Sequence, residues 1–180
     1  RLSESGSTVG GAFTIQTNVS GTASIAYNAA QNEFLVAYMY GIAPDIGISG
    51  QRLDASGTKV GSRVTLMGIG QRPKLLYNSL SGTYLLLGIN GDLYSRKIGT
   101  DGQPLSAAQN LTNDTGVSYT GYAAAYGPVT SSETPYGRYL LAKYPVALMM
   151  LDSDGKPLST LYNPQQGYYL PSVPMSTGST

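Results

Sequence analysis

The sequence predicts an all-β fold, an array of four-stranded antiparallel units, with about three and a half units in 180 residues. Two repeated phrases carry this reading. A third observation supports it: no stretch shows a helical period, and the apolar runs are short, rich in aromatic and β-branched residues, and bounded by Gly, Pro, Asn or Asp.

The first phrase occurs four times. It runs Arg1-Leu2-Ser3-Glu4-Ser5-Gly6, Arg52-Leu53-Asp54-Ala55-Ser56-Gly57, Lys97-Ile98-Gly99-Thr100-Asp101-Gly102 and Met150-Leu151-Asp152-Ser153-Asp154-Gly155. The four glycines are 51, 45 and 53 residues apart. Each copy reads as a strand end, a polar turn whose Gly takes positive φ, and a second strand opening on Val or Leu. The second phrase precedes the last three copies: Tyr27-Asn28 then Phe34-Leu35-Val36, Tyr77-Asn78 then Tyr84-Leu85-Leu86, and Tyr126 then Tyr139-Leu140-Leu141. Its two halves are seven residues apart in the first two cases and thirteen in the third, so the third carries a six-residue insertion. Between the phrases lies one more strand, over 46–53, 93–98 and 146–151. The predicted units therefore span 24–66, 73–111 and 119–161. Residues 1–16 form a half unit, and the tail 162–180 has room for one short strand at Tyr168-Tyr169-Leu170.

Four antiparallel strands repeating every ~40–50 residues are the signature of a β-propeller blade. Tyr27-Asn28, Phe34-Leu35-Val36 and Gly50-Gln51-Arg52-Leu53-Asp54-Ala55-Ser56-Gly57 closely resemble the blade repeat of bacterial secreted and cell-surface proteins. The second unit matches that pattern less well, and the third only in its skeleton. The resemblance covers about residues 1–161 and implies a propeller-like fold; because propellers host unrelated functions, it implies no activity. Closed propellers have about four to eight blades. Three and a half blades leave two routes to closure: the tail joins residues 1–16 in a composite blade, or another copy or chain completes the ring.

Composition narrows the chemistry. With no Cys and no His, the chain cannot form disulfides, thiolate nucleophiles, Ser-His-Asp triads or imidazole-based metal sites. The eleven basic residues are scattered, so no nucleic-acid footprint is expected. No apolar run is long enough to predict a membrane span. Charged residues are 12% of the chain, about half the usual ~25%. That sparseness, with abundant Tyr, Ser, Thr, Asn and Gly, suggests an extracellular or cell-surface location. The chain opens on Arg1 without a signal-peptide pattern, which reads as a mature or trimmed product.

Few residues carry candidate chemistry, and no catalytic centre and no cofactor are expected. Asp152 and Asp154 resemble the start of an oxygen-rich Ca²⁺ loop; the other reading is a hairpin turn whose Asp accepts backbone N–H groups. Asp45, Asp92 and Glu133 lie in loops but no motif pairs them as a glycosidase would require. Tyr27, Tyr77, Tyr84, Tyr126 and Tyr139 recur at equivalent positions and read as inter-blade packing. Tyr136, Tyr144, Tyr168, Tyr169 and Phe13 are the candidates for an interface or binding surface. Two functions follow as expectations. One is a non-enzymatic structural or assembly module, a surface or filament subunit whose partners are copies of itself or a completing chain. The other is a lectin-like propeller that binds glycans.

Overall fold

The computed structural model describes residues 4–7, 10–17, 19–41, 46–113, 121–128, 135–143, 147–158, 161–163 and 168–170. Among them there is no helix and every strand pairing is antiparallel. The first sheet is β1 (Val19–Asn28), β2 (Glu33–Tyr40), β3 (Gly47–Asp54) and β4 (Lys59–Met67), in that spatial order. The second is β5 (Gln71–Asn78), β6 (Thr83–Asn90), β7 (Asp92–Ile98) and β8 (Gln109–Asn110). The third is β9 (Tyr122–Gly127), β10 (Arg138–Lys143), β11 (Ala147–Leu151), β12 (Leu161–Asn163) and β13 (Tyr168–Leu170). No sheet closes on itself.

The repeated phrases become repeated hairpins. Tyr27 pairs with Phe34, Tyr77 with Tyr84, and Tyr126 with Tyr139, so spacings of seven and thirteen residues close at one register. Asn28 and Asn78 build the first two of these turns. Asn28 Oδ1 accepts the N–H groups of Ala30 and Gln31, and Asn78 Oδ1 those of Leu80 and Ser81, each an Asx-type turn. The other phrase forms a type I turn closed by a left-handed glycine. Gly57 N–H donates to Asp54 O, Gly102 N–H to Gly99 O and Gly155 N–H to Asp152 O, at 2.9–3.0 Å. These three glycines and Gly6 have φ between 79° and 92°, a range that disfavours a side chain.

The sheets stack in series, β1 against β5 and β5 against β9. The pleat sends alternate side chains to opposite faces, so each sheet has one face toward its predecessor and one toward its successor. Leu35, Ala37 and Leu66 of the first sheet bury against Leu75, Tyr84, Leu86 and Ile98 of the second. Leu85, Leu87 and Ile89 of the second bury against Tyr139, Leu141, Met149 and Leu151 of the third. β6 is therefore covered on both faces, which is why Tyr84-Leu85-Leu86-Leu87 is continuously apolar rather than alternating.

Both ends of the chain differ from the simple extension of the repeat. Residues 10–17 form no strand, although Phe13 and Ile15 stand where Val64 and Leu66 stand in β4. Ile15 instead packs on the outer face of the first sheet, against Val36, Tyr38 and Leu53. A fourth strand needs a third one beside it, and among the described residues before residue 10 there is none. The tail strand β13 pairs with β12 at the edge of the third sheet, rather than beside residues 1–16.

Candidate functional site

The recurrent polar features converge where one sheet meets the next. Leu35 faces Arg52 across the first sheet, Leu85 faces Lys97 across the second, and Leu140 faces Met150 across the third. The two basic residues reach the turn of the following sheet. Arg52 Nη1 donates to the Asp101 carbonyl at 3.5 Å, and its guanidinium pairs with Glu33 Oε2 at 2.7 Å. Lys97 Nζ lies 2.6 Å from Asp154 Oδ1. The glycine of the receiving turn lets it approach: a Cβ on Gly102 would meet the Arg52 and Leu35 side chains, and one on Gly155 would meet Leu85 and Ser95. Ser95 Oγ completes the second junction by donating to Gly155 O at 2.9 Å.

A cleft opens beside each latch. The one between the first and second sheets holds about 170 Å³ and is lined by Arg52, Gly61, Ser62, Asp101 and Gln103. The one between the second and third holds about 580 Å³ and is lined by Lys97, Ser106, Gln109, Asp154 and Lys156. The two occupy equivalent places in the repeat. The first offers one basic group, Arg52, and the second two, Lys97 and Lys156, each among several hydrogen-bonding groups.

Asp152 and Asp154, the candidate Ca²⁺ ligands, have other partners here. Asp152 Oδ1 accepts the N–H groups of Asp154 and Lys156 at 2.8 and 2.9 Å, while Asp154 Oδ1 faces Lys97. Asp54 works as Asp152 does: its Oδ1 accepts from Ser56 Oγ and from the Ser56 and Thr58 N–H groups. The Ser56 hydroxyl is the chief reason that the Asp54 carboxyl is held below its usual pKa. Among the described residues no group of three or more acidic side chains converges as a cation site would need. Asp92 is held within its own sheet, with Oδ2 accepting from Asn110 Nδ2 at 2.6 Å and Oδ1 from Thr112 Oγ1 at 3.2 Å. Asp45 and Glu133 lie outside the described residues.

The tyrosines divide by sheet face. Tyr27–Phe34, Tyr77–Tyr84 and Tyr126–Tyr139 have ring centroids 4.9, 5.1 and 5.3 Å apart. Their direct ring contact is thus cross-strand within one sheet, where inter-blade packing was the expectation; the second ring of each later pair then buries at the junction with the preceding sheet. That burial pushes the Tyr84 hydroxyl up to about 12 and raises the Tyr139 hydroxyl as well. Tyr122 also ties two sheets together: its hydroxyl donates to the carbonyls of Leu87, at 3.0 Å, and Arg72, and burial raises its pKa strongly.

Among the interface candidates, Tyr136 is exposed, and its backbone carbonyl accepts from Asn78 Nδ2 at 2.9 Å, linking the third sheet's first turn to the second sheet. Phe13 is exposed at 52% and lies over Gly57. Tyr168 and Tyr169 belong to β13. Tyr144 lies outside the described residues. Arg52, Lys97 and Asp101 are the inter-sheet latch positions that the sequence reading did not single out. Their signal was present, a basic residue opening the first three copies of the turn phrase at Arg1, Arg52 and Lys97, but its meaning depends on the neighbouring sheet.

No helix of the described residues is long and apolar enough to cross a membrane. A scan against protein-family models finds no match, and a search of curated proteins finds no relative.

Proposed function

We propose that the three sheets are successive β-propeller blades of the bacterial cell-surface type, and that the chain is a non-enzymatic extracellular module that assembles with other proteins. The serial contact of β1 with β5 and of β5 with β9 carries this reading. In each sheet the first strand lies beside the first strand of the next, as strands nearest a propeller axis do. The three described units fall short of a ring, and the outer faces of the first and third sheets keep exposed apolar side chains. Faces of this kind mark association surfaces. The carboxylates that could suit a hydrolase or a cation site, where described, are bonded within turns and latches.

A second reading, glycan binding, is favoured by one observation: the clefts beside Arg52 and Lys97 recur at equivalent positions, as the sites of a multivalent lectin do. Light scattering run beside a glycan array separates the two. The assembly reading expects a mass above one chain and an array without signal. Saccharide binding by a chain that stays monomeric would replace it with the second.

A further inference from the structure

The geometry points to a head-to-tail contact between copies of this chain, in which the outer face of the third sheet of one copy seats on the outer face of the first sheet of the next. This rests on the assembly reading above and specifies its interface.

The two faces are the unmatched halves of an interface that the chain already makes twice. On the side facing its successor, each sheet presents one strip across its first three strands. The strip is Ala26–Leu35–Arg52 in the first sheet, Leu76–Leu85–Lys97 in the second and Ala125–Leu140–Met150 in the third. Leu35 and Leu85 are buried under the following sheet, whereas Leu140 is 50% exposed. The same comparison holds for the side facing a predecessor. Leu75 is buried against the first sheet, whereas its counterpart Ile25 is 58% exposed and Tyr27 beside it is exposed as well.

A correlated change of charge says what meets what. At both internal junctions a basic residue meets an acidic position of the next turn: Arg52 the Asp101 backbone, Lys97 the Asp154 carboxylate. In the third sheet the basic position is Met150. In the turn of the first sheet the acidic position is Ser56. Acid and base at these two positions are thus lost together, one from each outer face, and the charge that stands beside Met150 is Arg138, whose Nη1 lies 3.6 Å from Met150 Sδ. A second copy carries the required counterpart of each face, which a partner of unrelated chemistry would have to supply separately.

Residues 10–17 travel with the first of these faces. Ile15 lies on the first sheet as Leu66 lies on the second, so the segment holds the place of the fourth strand of a preceding sheet. In the contact between copies it adds to the edge of β11. Among the described residues β12 pairs with that edge at Leu148 and Tyr162, and in the contact it yields that edge. Because the two faces differ, the contact is heterologous and produces a ring or a filament.

The test uses the full chain with two single variants, Leu140→Asp and Ile25→Asp, each at an exposed position and each checked for an unchanged thermal midpoint. Analytical ultracentrifugation of the wild type is expected to give multiples of 18.9 kDa. Each variant should weaken self-association by about tenfold or more, since each places a charge at the centre of an apolar contact. Mixing the two variants should restore a dimer and nothing larger, because one intact junction remains. A second pair guards against a folding defect: Met150→Lys should weaken association, and adding Ser56→Asp should recover it. A wild type that associates equally well with and without these substitutions would overturn the interface and leave the assembly reading standing. A wild type that stays monomeric would overturn both.

Discussion

The middle sheet and the two end sheets are built from one repeat, yet they live in different environments. Leu85 is fully buried and its counterpart Leu140 is half exposed; Leu75 is 3% exposed and Ile25 is open to solvent. Their hairpins, registers and turn glycines correspond. Residue type and local geometry therefore do not decide burial here; the presence of a neighbouring sheet does. Stability is accordingly concentrated at the two internal junctions, while the outer face of the first sheet buries Val36, Tyr38 and Leu53 beside Ile15 and leaves Ile25 open.

The largest break in that comparison comes from cutting equivalent leucines. Leu85→Ala is expected to cost about 2–5 kcal/mol, the range for a buried leucine whose surroundings collapse only partly. Leu140→Ala is expected to stay within about 0.5 kcal/mol in the monomer, as surface changes do. Urea unfolding of both, at a concentration where the chain is monomeric, measures the difference directly. Similar losses would show that the third sheet's outer face is covered within the chain.

Glycines give a smaller contrast. Gly155 and Gly61 both have positive φ, +79° and +68°. A Cβ at Gly155 would collide with Leu85, whereas at Gly61 nothing lies within 4 Å. Gly61→Ala should cost about 1–2 kcal/mol from backbone strain alone. Gly155→Ala should cost more, because the turn must also back away from the second sheet. Thermal melts of the two variants rank them, and equal midpoints would mean that the turn does not need its close approach.

The effect that is smallest at neutral pH concerns the junction tyrosines. Tyr84 faces the first sheet with its pKa raised to about 12, and Phe34 occupies the same place in the first sheet. The raised folded value means that the neutral phenol is favoured by folding. This contribution is fully present below the unfolded value of ~10 and is lost as pH rises from there through about 12. Stability should hold up to about pH 10 and then fall, and Tyr84→Phe should make that fall shallower without changing its start. Tyrosinate absorbance followed beside the unfolding midpoint checks it. A midpoint indifferent to pH across this window would show that the ring is solvated.

Much of the local architecture was legible in advance because its hydrogen bonds are local. Asx turns at Asn28 and Asn78 join residues two or three apart, and the turns at Gly57, Gly102 and Gly155 close within four residues. A repeated phrase can therefore encode them. The candidate site was legible only in part: Asp152 and Asp154 were visible as a pair, but their partners differ, one being its own turn and the other Lys97. The inter-sheet latches join residues 49 and 57 positions apart, so no window of sequence contains both ends.

By itself, then, the sequence determined the all-β class, the hairpin registers and the positions that must be glycine, since each follows from backbone geometry and near neighbours. Tertiary structure alone decided which copy of each apolar position is buried, which basic residue meets which turn, and that residues 10–17 lie across a sheet face rather than extend a sheet. The reason is physical. Burial and charge pairing belong to two surfaces at once, and a strand exists only beside another strand, so a repeat that is the same in sequence becomes different wherever its neighbour is missing.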